Sequence, residues 1–235
     1  MSRRFPAPHL GAIGTRVVLD AATSHHLLTV CLVPRGELLR VFHGGWECEA
    51  RLVDGSGGVA VLELVGEATP VRAGDPRVLL LALTRKPAWE RALRMVTELG
   101  ATDIHPFHAR HGVAKGVHLD RWRRIVEEAA RQCERGIAPE VHAPRPLPEL
   151  VSMGPGLVLS PGAPIAAATE GSLTLLVGPE GGLHAEEVEI AVAAGFVAAG
   201  LGRTVLRADT AAVAALARYG LSSSSRSGPG WRPNR

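Results

Sequence analysis

Two glycine-bearing loops hold the residues best suited to chemistry. One is Gly178-Pro179-Glu180-Gly181-Gly182; the other runs from Leu201-Gly202-Arg203 through Arg207 to Asp209. The first cuts off an apolar run, Leu173 to Val177, and the second follows a shorter apolar run and opens into an Ala-rich stretch. Glycines adopt dihedrals that other residues avoid and let a backbone approach a ligand closely. Pro179 stiffens the turn, and Glu180 is the one charge in its loop. Neither loop is the G-x-x-x-x-G-K-[ST] of a phosphate cradle, and no G-x-G-x-x-G follows a first strand, which argues against dinucleotide binding. A tight strand-to-helix turn accounts for GPEGG taken alone. Two such loops, each leading into a helix, predict a ligand site at the strand ends of an open α/β sheet.

The elements that must position these loops are legible as periodicities. From Arg77 onward strands alternate with helices, which predicts a mostly parallel sheet covered on both sides. RVLLLAL (77–83) is a continuous apolar run, as a strand covered on both faces should be. Pro87 starts a helix whose Trp89, Leu93, Val96 and Leu99 share one face, and Gly100 stops it. The next helix has Asp120 as its candidate N-cap and an inward stripe of Trp122, Ile125, Val126, Ala129 and Cys133. Residues 157 to 159 form a further short strand, and 185 to 194 a helix ended by Gly195. Before the linker, 69–76, the pattern differs. In WECEARL, Trp46, Cys48, Ala50 and Leu52 alternate with charged residues, a strand with one buried face. Turn signals at Gly44-Gly45 and 54–58 frame it, so residues 37 to 65 read as hairpins of a small barrel or sheet.

Composition sets outer bounds. The chain has 235 residues, 46% hydrophobic and 21% charged, a globular composition for a small plus a medium domain. No apolar stretch reaches the roughly 20 residues of a membrane span. MSRRFPAPHLG lacks the apolar core of a signal peptide. Three cysteines, Cys31, Cys48 and Cys133, form no C-x-x-C pair, which fits a reducing cytoplasm. His105, His108 and His111 are spaced by three, but Pro106 opposes a helix there and no metal is expected. The net charge is only +3, yet Arg85, Lys86, Arg91, Arg94, Arg110, Lys115, Arg121, Arg123 and Arg124 crowd the middle of the chain. That strip suits RNA phosphates or, with its interleaved glutamates, an ordinary solvated surface. SSSSRSGPGWRPNR (222–235) reads as a disordered tail.

The pair GPEGG and LGRTVLRADTAA resembles the RsmE family, SPOUT-class methyltransferases that act on small-subunit ribosomal RNA. TELGATDIHPFHARHGVAK (97–115) is similar to that family's ELG-x-x-x-I-x-P segment with its trailing basic residues. RWRRIVEEAARQC (121–133) is similar to its helix ending in E-Q-C or E-Q-S, and residues 25 to 65 to its small amino-terminal barrel. The resemblance implies an α/β fold: a knotted SPOUT-type parallel sheet domain at 71–221, preceded by a PUA-like, RNA-binding β-barrel at 1–70. It also implies a homodimer, for which the Ala-rich helix 209–219 is the expected contact; the alternative is that this helix packs on its own sheet. S-adenosylmethionine is the implied methyl donor. The implied acceptor is N3 of a uridine in 16S ribosomal RNA, free or in the assembled small subunit.

Carried over residue by residue, the resemblance places the donor against Gly178, Pro179, Gly181 and Gly182, against Leu201 and Gly202, and against Val205 and Leu206. Val177, Leu159, Ser160 and Thr210 complete the expected pocket. Arg207 is expected to stabilise charge on the uracil as N3 loses its proton, and Glu180 to orient the donor. A salt bridge of Arg207 to Asp209 or Glu180, and helix capping by Glu180, are the structural alternatives. His184 reads as a variant N-cap. Expected RNA contacts are His25, His26, Arg85, Lys86, Arg110 and Lys115. Thr29 and Leu32 stand where the family usually has arginines, which keeps open a divergent paralogue that acts on another RNA or only binds RNA.

Overall fold

The computed structural model describes residues 3–71, 74–114, 116–167 and 171–220. Lys115 and the expected tail 222–235 lie outside the described residues. The chain divides into two units, one of residues up to 71 with Arg131–Ile137, the other of residues from 74 with Ala138 onward.

The first unit is built on a six-stranded sheet: β1 (Arg4–Pro6), β2 (Arg16–Val18), β3 (Leu38–His43), β4 (Trp46–Asp54), β5 (Val61–Leu64) and β6 (Thr69–Pro70). Their order is β1-β3-β4-β5-β2, with β6 also on β4; β1 runs parallel to β3 and the other pairs are antiparallel. The alternation read in WECEARL holds for Cys48, Ala50 and Leu52, which are buried with Val41, Leu62 and Leu64. Trp46 departs from it and is exposed, because it sits at the turn end of β4 paired to His43. Thr69-Pro70 belongs to this sheet, not to the linker. A short helix, α1 (Ala21–His25), is capped by Asp20 and runs into a π-helical turn, His26–Val30. Fully buried Ser24 fastens α1 to the sheet. Its Oγ donates to Leu19 O at 3.2 Å and accepts from Ala60 N at 3.0 Å.

The second unit holds six parallel strands: β7 (Arg77–Ala82), β8 (Asp103–Phe107), β9 (Glu140–Val141), β10 (Leu157–Leu159), β11 (Leu173–Val177) and β12 (Val197–Ala199). They are ordered β12-β10-β11-β7-β8-β9. Because strand side chains alternate, the apolar runs of β7 and β11 feed two cores. Leu79, Leu81, Leu175 and Val177 face one, with α2 (Lys86–Glu98), α3 (Leu119–Gln132) and α6 (Ala208–Gly220). Leu80, Ala82 and Leu176 face the other, with α4 (Leu147–Val151) and α5 (Ala185–Ala193). The helix faces are those the spacing predicts: Trp89, Leu93 and Val96 on α2, and Trp122, Ile125, Val126 and Ala129 on α3. Asp120 is not the N-cap of α3; it lies inside the first turn, one residue past Leu119. Cys133 falls beyond the helix end, where Glu134 takes a positive φ of 58°.

The stripe Ala212, Ala215, Leu216 and Tyr219 of α6 packs on its own sheet, leaving Val213, Ala214 and Ala217 half-buried. Both ends of α6 are pinned. Arg91 bonds Asp209 at 2.8 Å, Tyr219 donates to Gly200 O at 2.7 Å, and buried Arg77 donates to Gly220 O at 2.6 Å. Among the described residues no helix is long and apolar enough to cross a membrane.

Replacing Ser24 with alanine removes a shared partner from two buried backbone groups. We expect a loss of about 1–3 kcal/mol, the cost of leaving such groups unpaired. It is read as faster amide exchange across β2 and β5, with the second unit unaffected.

Candidate active site

The two glycine-bearing loops meet. A cavity of about 270 Å³ opens at the carboxyl ends of β10, β11 and β12. It is lined by Leu159, Ser160 and Pro161 after β10, by Val177 through Leu183 after β11, and by Ala199, Leu201, Gly202 and Thr204 to Leu206 after β12. Of the residues expected to hold the donor or act beside it, every one lines it except Arg207 and Thr210, which are exposed beside it at the start of α6. Sequence reasoning missed Val188 on α5, and Ala208 and Ala211 on α6. The signal for the last two was present: small residues three apart on the first turn of a helix share a face.

Local chemistry explains why these loops hold their shape. Gly182 donates to Pro179 O at 2.9 Å, closing a tight turn, and its φ of +75° lies where glycine costs least. Gly200 has no alternative at all, since a Cβ there would fall 2.0 Å from Ala163 O. Helix capping belongs to His184. Its ring accepts from Glu186 N, and Glu187 Oε2 accepts from His184 N at 2.8 Å, a reciprocal capping box. Glu180 therefore caps nothing; it is exposed on the cavity wall.

A second loop braces the first. Glu187 also accepts from Arg110 N at 2.9 Å, and the Arg110 guanidinium meets Glu186 at 2.8 Å and His184 Nδ1 at 3.1 Å. This brings His111 edge-on to His184, and the His111 Cβ would lie 3.1 Å from a Cβ on Gly181. Arg110, expected on RNA, is thus engaged within the chain. The same holds for Arg91 with Asp209 and for Arg121, whose guanidinium bonds both oxygens of Glu90. Arg85 and Lys86 are exposed at the start of α2. His25 and His26 are exposed on the first unit, where the His26 ring lies 3.4 Å from Cys31 Sγ.

Asp209, not Arg207, carries the ion pair at the helix mouth. Burial opposes its ionisation, but the bonds from Arg91 and Thr210 N outweigh it and hold the carboxyl below its ordinary value. Of the three spaced histidines, His105 is buried in β8 while His108 and His111 are exposed, so they do not converge. Burial first, then neighbouring His142, pushes His105 down to about 4, which leaves it neutral.

Comparison with known proteins fits this geometry. The RNA methyltransferase domain family matches residues 75–220. A ribosomal RNA small subunit methyltransferase E of Mycobacterium bovis is 36% identical over 236 residues, taking in 91% of this chain and 88% of that protein. The one of Synechocystis sp. is 34% identical over 225 residues, 88% of this chain and 73% of that protein. Among solved structures, ribosomal RNA small subunit methyltransferase E of Neisseria gonorrhoeae, bound to S-adenosyl methionine, matches with a TM-score of 0.69 and 28% identity, over 92% of this chain and 96% of that one. The chain belongs to the RNA methyltransferase family, within the ribosomal RNA small subunit methyltransferase E group. Its parallel-sheet unit is of the SPOUT type, and its small mixed-sheet unit fits the PUA-like expectation.

The Arg91–Asp209 pair generates a pH prediction. A carboxyl whose folded pKa is depressed contributes stability above its unfolded pKa, and that contribution is lost as pH falls through the folded value. Asp209→Asn should therefore be less stable than the parent at neutral pH, by on the order of 1–3 kcal/mol. The gap should close below about pH 4. Denaturant midpoints across pH measure both.

Proposed function

We propose that the chain transfers the methyl group of S-adenosylmethionine to N3 of a uridine in small-subunit ribosomal RNA. The cavity at the ends of β10, β11 and β12, in a chain of an RNA methyltransferase family, carries this reading. The cavity residues suit the donor. Backbone groups of Gly178 to Gly182 and of Leu201-Gly202 offer hydrogen bonds to a purine edge and ribose, and Leu201, Leu206 and Val188 offer an apolar wall. When bound, S-adenosylmethionine supplies an electrophilic methyl group.

The remaining work falls to this chain. Its loops fix the line between donor and acceptor, where proximity contributes most. Glu180, on the cavity wall, presents a carboxylate to a cationic ligand. Arg207 stands exposed beside Leu206, its backbone oxygen bonded by Ala211 N at 2.7 Å. Its guanidinium is suited to the negative charge that spreads onto O2 and O4 when N3 gives up its proton. Arg85 and Lys86 present charge to RNA phosphates, and His25 and His26 offer ring donors on the small unit. Further parts of this reading are a homodimer using the outer face of α6, a cytoplasmic setting, and a trefoil knot threaded by the carboxy-terminal segment. The knot is supported by the tight passage at Gly200, whose N donates to Pro164 O at 2.8 Å. Exposed Thr29 and Leu32 favour a second reading, in which the donor is bound but another RNA is the target.

Calorimetry with S-adenosylmethionine tests the pocket. Ala211→Leu fills it from α6 and should weaken binding at least tenfold with the fold intact by circular dichroism. Arg207→Ala should keep donor binding yet slow methyl transfer by about a hundredfold or more, the scale of losing one donor to a developing charge. Nucleoside mass spectrometry after reaction with small subunits lacking the modification should show 3-methyluridine. Donor binding with no methyl on 16S RNA would favour the second reading.

A further inference from the structure

Opposite the cavity's strands, at the β8–β9 edge of the sheet, four ionisable side chains share one face. In the parallel register Asp103 lies beside Glu140 and Ile104 beside Val141, and His142 N donates to Ile104 O at 3.0 Å. Ile104 and Val141 therefore point into the core, while Asp103, His105, Glu140 and His142 point the other way. The candidate ligand atoms of Asp103, His105 and His142 all lie within 4.8 Å of one another.

The arrangement leaves one buried ring nitrogen without a partner among the described residues. The His142 ring lies between two carboxylates, with Nδ1 3.6 Å from Glu140 Oε1 and Nε2 3.4 Å from Asp103 Oδ1. A neutral imidazole has one N–H to donate. Placed on Nε2, it reaches Asp103 Oδ1 at 3.4 Å, while Glu140, 3.6 Å from Nδ1, stands beyond hydrogen-bond reach. The His105 ring stacks on it, 3.9 Å away and within 3° of parallel. His105 is 5% exposed, and among the described residues its buried Nδ1 has no hydrogen-bond partner. One cation would supply that partner, with the Asp103 oxygen and a His142 nitrogen as its further ligands.

We propose that Asp103, His105 and His142 bind one divalent transition-metal ion of the zinc type, with Glu140 orienting His142. Two imidazoles and a carboxylate suit zinc, cobalt or nickel better than magnesium or calcium. Tetrahedral zinc with bonds of about 2.0–2.2 Å has ligand atoms roughly 3.4 Å apart, and the three candidate atoms here all lie within 4.8 Å of one another before any ring turns. Glu140 then plays the carboxylate that fixes a ligating histidine's tautomer. An ion lies in the plane of each ring that binds it, so one ring of the stacked pair must turn. His142, whose side chain is 27% exposed, has the room. The nearby Arg145 is already paired with Glu149 at 3.0 Å. The ion would clip β9, only two residues long, to β8. This site is independent of the methyl-transfer reading.

The test uses the full chain, stripped with a chelator and titrated with zinc by calorimetry and with cobalt by visible absorption. We expect one ion per chain, cobalt bands of low-symmetry tetrahedral nitrogen–oxygen ligation, and slower amide exchange at Val141 and His142. H142Q and D103N change half-buried side chains at the edge of the sheet, so both should fold, as checked by circular dichroism. Each should weaken zinc at least tenfold. Absence of micromolar zinc binding by the folded parent would overturn the proposal. So would equal affinity and stoichiometry in both variants, which would assign the ion to other histidines. If a variant misfolds, the cobalt spectrum of the parent decides: octahedral, water-like bands refute the site.

Discussion

The buried guanidinium of Arg77 holds together the carboxy-terminal half of the fold. It stands at the first residue of the central strand β7 and donates to the carbonyls of Pro76, Gly171 and Gly220. Each belongs to a different stretch of chain: the approach to β7, the approach to β11, and the last residue of α6. Carbonyls at a helix end have no partner within the helix, and a buried cation there satisfies them and complements the helix dipole. With Arg91 on Asp209 at the other end, α6 is fixed in both position and direction. The cavity depends on this, since Ala208 and Ala211 form one of its walls. A helix free to slide by one turn would present different residues to it.

The cavity itself is made mostly by leaving things out. Glycines at 178, 181, 182 and 202 line it, and a Cβ would crowd Leu183 from Gly178 at 2.9 Å and His111 from Gly181 at 3.1 Å. Such loops carry a cost in conformational entropy, and bonds from outside the loops offset it. Glu187 ties Arg110 N to His184 N, so the loop after β8 and the turn after β11 share one carboxylate. The expected charges of the site, Glu180 and Arg207, are both exposed, one on the wall and one beside it. A polar acceptor as large as an RNA base fits that placement, because it would have to approach from solvent.

Much of this was readable because it is periodic or local. Continuous apolar runs identified β7 and β11, and spacings of three and four identified the faces of α2 and α3. The paired glycine loops marked the cavity. What escaped is short or distant. β6 and β9 have two residues each, too few to carry a pattern. The π-helical turn at His26–Val30 has a composition that suits an ordinary helix equally well. The Arg91–Asp209 pair spans 118 residues of sequence, and no local rule joins a charge on α2 to the mouth of α6. Trp46 fits its strand's alternation but lies at a turn, where the sheet no longer covers it.

The charge pattern shows how a sequence count misleads. The basic strip in the middle of the chain looks like a single phosphate-binding surface. Three of its arginines, Arg91, Arg110 and Arg121, are matched by Asp209, Glu186 and Glu90. A cation already paired offers little to a phosphate, because a new contact must first break the old one. Counterion release by RNA scales with the phosphates actually neutralised. The salt dependence of RNA binding should therefore track exposed residues with no ion pair among the described residues, such as Arg85, Lys86, Arg123 and Arg124, more than the whole strip. Within the chain the paired three tie α2 to α6, the loop after β8 to α5, and α3 to α2.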